Sequence, residues 1–183
     1  MDGEPARFLE GEHVYLAPVE EEDARRYVEW LNAPGVRENL MLQRPLTIMA
    51  ERDWISKLGS TGDVVFGVRL RDGDELIGNT GLHRVNEIDR HAEFGIFIGP
   101  PDARGRGYGG EALRLTLAYA FDVLNLHRVW LRYYAHNAGA GEVYRRCGFV
   151  DEGKLRKAHW YAGAWHDEHL MGILAEEYYA ERD

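Results

Sequence analysis

The segment Gly99-Pro-Pro-Asp-Ala-Arg-Gly-Arg-Gly-Tyr-Gly-Gly-Glu111 lies between two stretches of opposite periodicity. Before it, Ala92-Glu-Phe-Gly-Ile-Phe-Ile98 alternates as a strand does. After it, Leu113, Leu117, Ala120, Phe121 and Leu124 fall on one face of a helix. The glycines therefore occupy the turn from a strand into a helix. Glycine admits positive φ and close backbone approach, and the unbonded N–H groups of a first helical turn face whatever sits there. With the helix dipole and the charges of Arg104 and Arg106, this arrangement predicts a cradle for phosphate groups.

Two nucleotide folds share parts of this pattern. Gly105, Gly107 and Gly110 satisfy G-x-G-x-x-G, but a dinucleotide fold needs an acidic residue at the end of the next strand, to hold the ribose. That strand ends Tyr133-Tyr-Ala-His-Asn137, without a carboxylate. No Gly-Lys-Ser/Thr follows the glycines, which argues against a P-loop.

Arg104-x-x-Gly107-x-Gly109 resembles the pyrophosphate motif of the GNAT N-acetyltransferase superfamily. Asn137-Ala-Gly-Ala-Gly-Glu-Val-Tyr-Arg-Arg-Cys-Gly-Phe149 resembles the segment that closes the CoA site in the same family. Leu16-Ala-Pro18, Trp30-Leu-Asn32, Pro34-Gly-Val-Arg-Glu38, Glu152-Gly-Lys-Leu-Arg156, Trp165-His-Asp167 and Glu176-Glu-Tyr178 resemble the Rim-type ribosomal-protein N-terminal acetyltransferases. That branch also holds relatives acting on small amines and amino-sugars. The resemblance implies acetyl-CoA as co-substrate and a primary amine as acceptor, on a peptide or protein N-terminus, a polyamine or an amino-sugar. It implies a CoA site at Phe97, Ile98, Arg104, Gly105, Arg106, Gly107, Tyr108, Gly109, Gly110, Asn137 and Tyr144.

In chain order, the pattern predicts a strand at 12–18, then a helix with apolar residues Ala24, Tyr27, Val28 and Leu31 that stops before Pro34. Thr47 is placed to cap a second helix carrying Trp54, Ile55 and Leu58. Between them, the irregular stretch from Ala33 to Leu46 is a candidate substrate loop or a plain surface connection. Strands at 64–70, 75–85 and 92–98 joined by tight turns form an antiparallel meander. The strand at 127–134 follows a helical crossover and is expected to run parallel to 92–98. A short helix from Ala138 to Arg146, a hairpin around Tyr161 to Trp165 and a polar tail of Arg182-Asp183 and their neighbours complete the chain. The class is α+β, a mixed and mostly antiparallel sheet flanked by helices. In the family this order brings a splayed parallel strand pair that receives the pantetheine arm.

At 183 residues the chain is expected to form one domain over 1–183. A formal charge of −9 argues against a nucleic-acid partner. A single cysteine, Cys147, suits a reducing cytoplasm and reads as a buried packing residue. Met1-Asp-Gly-Glu-Pro5 lacks the character of a signal peptide, and no apolar run is long enough for a membrane span. The expectation is a cytoplasmic monomer or homodimer.

Acetyl transfer to an amine needs a held thioester, a neutral amine, a stabilised oxyanion and a proton for the departing thiolate. Backbone N–H groups near Ile96 are candidates for the thioester carbonyl, and Gly95 suggests a bulge or close approach there. The resemblance implies that Asn137 bonds the pantetheine arm; its position also suits a cap for the following helix, and the two roles are compatible. Glu93 is the first candidate base, with surface or substrate pairing as its other reading, and His83 is the second. The spacing of His166, Asp167 and His169 suggests a metal, but no third pair at known ligand spacing accompanies them, so no metal is expected. Tyr144 sits where family members with a tyrosine use it as general acid; plain packing is its alternative. The rival functions are a non-catalytic acyl-CoA sensor on the same fold and a nucleotide-binding module.

Overall fold

A computed structural model describes residues 5–40, 42–180 and 182. The readings made of Met1 to Glu4 and of Asp183 fall outside the described residues. Eight strands form one sheet: β1 (Leu9–Glu10), β2 (Val14–Pro18), β3 (Val64–Leu70), β4 (Leu76–Asn86), β5 (His91–Ile98), β6 (Arg128–Tyr134), β7 (Val150–Tyr161) and β8 (Ala164–Leu174). Their spatial order is β1-β2-β3-β4-β5-β6-β8-β7. Every neighbouring pair is antiparallel except β5 with β6.

The helices are α1 (Ala24–Asn32), α2 (Ile48–Lys57), α3 (Tyr108–Ala118), α4 (Ala138–Arg146) and α5 (Ala175–Ala180). The two faces of β5 show how they are shared. Phe94 joins a core with Leu113 and Leu117 of α3, and with Leu131 and Phe149. Phe97, on the opposite face, packs with Tyr27 and Trp30 of α1 at ring separations of 5.7 and 6.5 Å. Alternation along the strand thus separates an α3–α4 side from an α1–α2 side.

Thr47 caps α2 through a 3.2 Å bond from the Ala50 amide, as its position predicts. Two elements escape the sequence reading. β1 is two residues long. α5 lies just before the expected polar tail, where no element was read, and its Tyr178 is buried against Phe121, with ring centroids 4.7 Å apart. The expected bulge at Gly95 is absent. Gly95 pairs in register with Gly81, and the irregularities of the ladders around β4 fall at Val68/Arg69 and His83/Asn86. Gly95 instead gives close approach, since a Cβ there would lie 3.2 Å from the His83 ring.

Candidate active site

Three elements converge on the end of β5. The β5–β6 ladder holds only His91 with Arg128, Ala92 with Val129 and Glu93 with Trp130. Beyond Glu93 the two strands part, leaving the later backbone groups of β5 without a ladder partner on that side. β5 continues to Ile98 and leads into the glycine turn. β6 continues to Tyr134 and leads through Asn137 into α4.

The turn depends on glycine and leads directly into a helix N-terminus. Gly105 and Gly107 hold φ of +73° and +90°, and a Cβ at either would meet open space. Glycine is needed there for backbone conformation. Gly107 caps α3, whose first intrahelical bond runs from the Glu111 amide to the Gly107 carbonyl at 3.0 Å. The amides of Tyr108, Gly109 and Gly110 are the first-turn donors left over. The exposed Arg106 adds charge at the rim, whereas the Tyr108 ring packs into the core. Glu111 turns away from the turn, accepting from the His13 and Val14 amides at 2.8 and 3.1 Å. Burial pushes its pKa up, but these hydrogen bonds outweigh it and hold the carboxyl below its ordinary value.

Arg104 corrects the sequence reading. Its side chain points inward, with Nε donating to the Ile98 carbonyl at 2.9 Å, Nη2 to that of Gly99 and Nη1 to that of Gly35 at 3.4 Å. It braces the glycine turn against the end of β5 and the loop after α1; it is not turned toward a phosphate. Phe97 contributes packing on the α1 side, and Ile98 contributes the carbonyl that anchors Arg104.

On the α4 side, Asn137 makes no side-chain cap for the helix it precedes, so the capping role falls away. Tyr144 is half-buried, its ring 6.4 Å from Phe94, 5.8 Å from Tyr133 and 6.1 Å from Phe149. Burial, then the neighbouring Tyr133, pushes its pKa up to about 12, so the phenol keeps its proton across the neutral range. Gly141 lets α4 approach this closely, since a Cβ there would lie 2.6 Å from the Tyr133 hydroxyl. Cys147 is buried, as expected.

The α1–α2 side carries charge. Glu93 accepts from Arg84 at 2.8 Å and from Arg132 at 3.3 Å. Both its oxygens are committed to guanidinium groups, which favours the pairing reading over the base. His83 is better disposed. Its Nδ1 lies 3.2 Å from Asp63 Oδ2, and the opposite edge of the ring rests over Gly95, just past the parting of the strands. A carboxylate on one ring nitrogen fixes the tautomer and leaves the other free to accept a proton.

The loop between α1 and α2 is closed at its base by Asn32. Its amide donates to the Leu46 carbonyl and accepts from the Leu46 amide, both at 2.9 Å. Arg37, Glu38, Leu40 and residues 42–45 of that loop, with His159, Trp160 and Tyr161 of the β7–β8 hairpin, enclose a cavity of about 460 Å³. His159 stacks on Tyr134 at 3.7 Å, and His136 Nε2 donates to the Glu38 carbonyl at 2.9 Å. The cavity therefore abuts the end of β6 on the α1–α2 side. Nothing in the sequence links these two distant segments. Among the described residues no group of three or more His, Cys, Asp or Glu side chains is placed to hold a metal ion. Among the described residues no helix is long and apolar enough to cross a membrane.

Comparison with known proteins bears on this geometry. Residues 13–150 match the family model described as the acetyltransferase (GNAT) domain. The spermidine N(1)-acetyltransferase of Escherichia coli (strain K12) is 32% identical over 170 residues, covering 92% of this chain and 89% of that one. YdaF of Bacillus subtilis (strain 168), provisionally named a ribosomal N-acetyltransferase, is 29% identical over 179 residues, covering 93% and 96%. The crystal structure of spermidine N-acetyltransferase from Vibrio cholerae in complex with CoA and spermine superposes with a TM-score of 0.85 at 28% identity, covering 91% of this chain and 98% of that one. With the glycine cradle and the parted strands, these matches establish that the chain belongs to the GNAT acetyltransferase family and is an acetyl-CoA-dependent N-acetyltransferase acting on amines.

Proposed function

We propose that the chain acetylates an α-amine or other small primary amine by direct attack, with no acyl-enzyme, and that it works in the cytoplasm as a monomer or homodimer over a single domain. The observation that carries the direct path is the parting of β5 from β6 after Glu93 and Trp130. It opens a slot between the α3–α4 side, where the cradle and Tyr144 lie, and the α1–α2 side, where the cavity lies. Acetyl-CoA supplies the acetyl group as a thioester. Cradle amides from Gly105 to Gly110 and the Arg106 guanidinium hold its diphosphate, and Asn137 bonds the amide-rich arm. Backbone N–H groups of β5 near Ile96 polarise the carbonyl.

His83, oriented by Asp63, accepts the proton of the incoming ammonium, directly or through a water. An α-amine titrates near ~8, so it requires little of this base. Tyr144, on the opposite side of the sheet, donates to the departing sulfur. This division explains why the two proton-handling groups stand on different faces. Incubation with acetyl-CoA and a panel of peptides, polyamines and amino-sugars, followed by thiol release and mass spectrometry, tests the reading. An N-acetylated product is expected. Tight CoA binding with every amine left unmodified would favour the acyl-CoA sensor.

A further inference from the structure

We infer that the acceptor is an anionic amine, its body carrying a carboxylate that Arg37 and Arg44 recognise in the cavity between the α1–α2 loop and the β7–β8 hairpin. The inference rests on the acetyltransferase reading and names the substrate class of that same site. Both arginines line the cavity, and among the described residues neither has a carboxylate partner. The lining holds one carboxylate, Glu38, and the Tyr161 hydroxyl hydrogen-bonds it. Two guanidinium groups against one engaged carboxylate leave the lining positive. A polycation entering there would meet like charge. A carboxylate would meet two planar donors whose geometry it matches.

The charges below the cavity do not reverse this. The carboxylates at the parted strands are already paired, Glu93 with Arg84 and Arg132, and Glu168 with Arg132 at 3.2 Å. Burial, with the neighbouring His136 and His166, holds His159 below its ordinary pKa, so its ring adds an aromatic wall without added charge at neutral pH. Trp160 extends that wall outward. It is 54% exposed and packs edge-on against Trp165, itself 58% exposed, at 5.2 Å. An apolar side chain next to the carboxylate has a surface to rest on. The chemistry fits a free acidic amino acid or the N-terminus of an acidic peptide.

The test compares kcat/KM for free glutamate, a tetrapeptide with acidic second and third residues, the same tetrapeptide with lysines there, and spermidine. The acidic acceptors are expected to lead the lysine peptide and spermidine by at least about tenfold, the value of a charge-assisted hydrogen bond. If the peptide leads free glutamate, the source is a polypeptide N-terminus; the reverse order makes it an amino acid. The double substitution Arg37→Glu, Arg44→Glu is expected to invert the charge preference while calorimetric CoA affinity stays unchanged. Preference for spermidine over both acidic acceptors overturns the inference and leaves the acetyltransferase reading standing. So does an acidic preference that survives the double reversal. A protein that binds CoA and acetylates none of the four overturns both.

Discussion

Arg132 reaches across the mouth of the parted strands to Glu93, Nε to Oε1 at 3.3 Å, just beyond the last rung of the β5–β6 ladder. Arg132 continues to Glu168 of β8 at 3.2 Å, and Glu93 continues to Arg84 of β4 at 2.8 Å. The four charges alternate in sign across four strands. Where the parallel ladder stops, this chain of ion pairs carries the sheet across the gap, holding the slot open without sealing it. Glu93 and Glu168 are largely buried, so each depends on its partner. Glu93→Gln is therefore expected to cost about 2 kcal/mol of stability in denaturant unfolding. Its pH–rate profile should keep the parent shape; a lost acid limb would restore Glu93 as the base.

The base role assigned to His83 has its own signature. His83→Gln is expected to lower kcat about 10²-fold at neutral pH, with partial recovery at alkaline pH, where free amine is plentiful. Asp63→Asn should act in the same direction but less strongly, since the ring survives and loses only its orienting carboxylate. Steady-state rates from pH 6 to 10 with one α-amine acceptor check both.

Tyr144→Phe keeps the ring and removes the hydroxyl. The general-acid role predicts a kcat loss of about 10²-fold with CoA affinity nearly unchanged. Because the phenol is pushed up to about 12, its ionisation should produce no alkaline fall in the parent's kcat below about pH 11. A Phe variant that turns over at the parent rate, with chemistry rate-limiting, would leave Tyr144 as packing.

Gly107 meets no neighbour that a Cβ would strike, so its substitution acts through backbone strain and charge. Gly107→Glu should leave the protein folded by circular dichroism. Calorimetry should show CoA binding weakened by about 100-fold or more. Unchanged affinity in the folded variant would remove the cradle as the diphosphate site.

Glu51 offers a stability test remote from the chemistry. It is the buried residue of α2, its Oε1 has no hydrogen-bond partner, and burial raises its pKa to about 7. A carboxyl raised in the folded state stabilises fully below its unfolded value near 4.5, and that contribution is lost as pH rises through about 7. Glu51→Gln removes the titration. The variant should be more stable than the parent at pH 8, by about 2 kcal/mol, and the difference should shrink toward pH 5. Thermal melts across that range measure it, and a pH-independent difference would contradict the burial argument.

What the sequence by itself determined was local. The alternation of Ala92–Ile98, the glycines before Tyr108 and the apolar face of Leu113, Leu117 and Phe121 sit next to one another in the chain. They set φ, ψ and periodicity there, so strand, glycine turn and helix were all legible, as was the crossover that makes β5 and β6 parallel. Short elements were not: β1 has too few residues to show a period, and α5 is held by Tyr178 meeting Phe121. Partners were not legible either. The inward turn of Arg104 depends on carbonyls at Ile98, Gly99 and Gly35, and Glu93 meets Arg132 from 39 positions away. The Asn32 clasp on Leu46 and the cavity between the α1–α2 loop and residues 159–161 exist only once the sheet order is set. Hydrogen bonds and ion pairs act over a few ångströms of space. Which side chains come that close is decided by topology, and topology brings Arg37, Arg44 and the β7–β8 hairpin around one cavity.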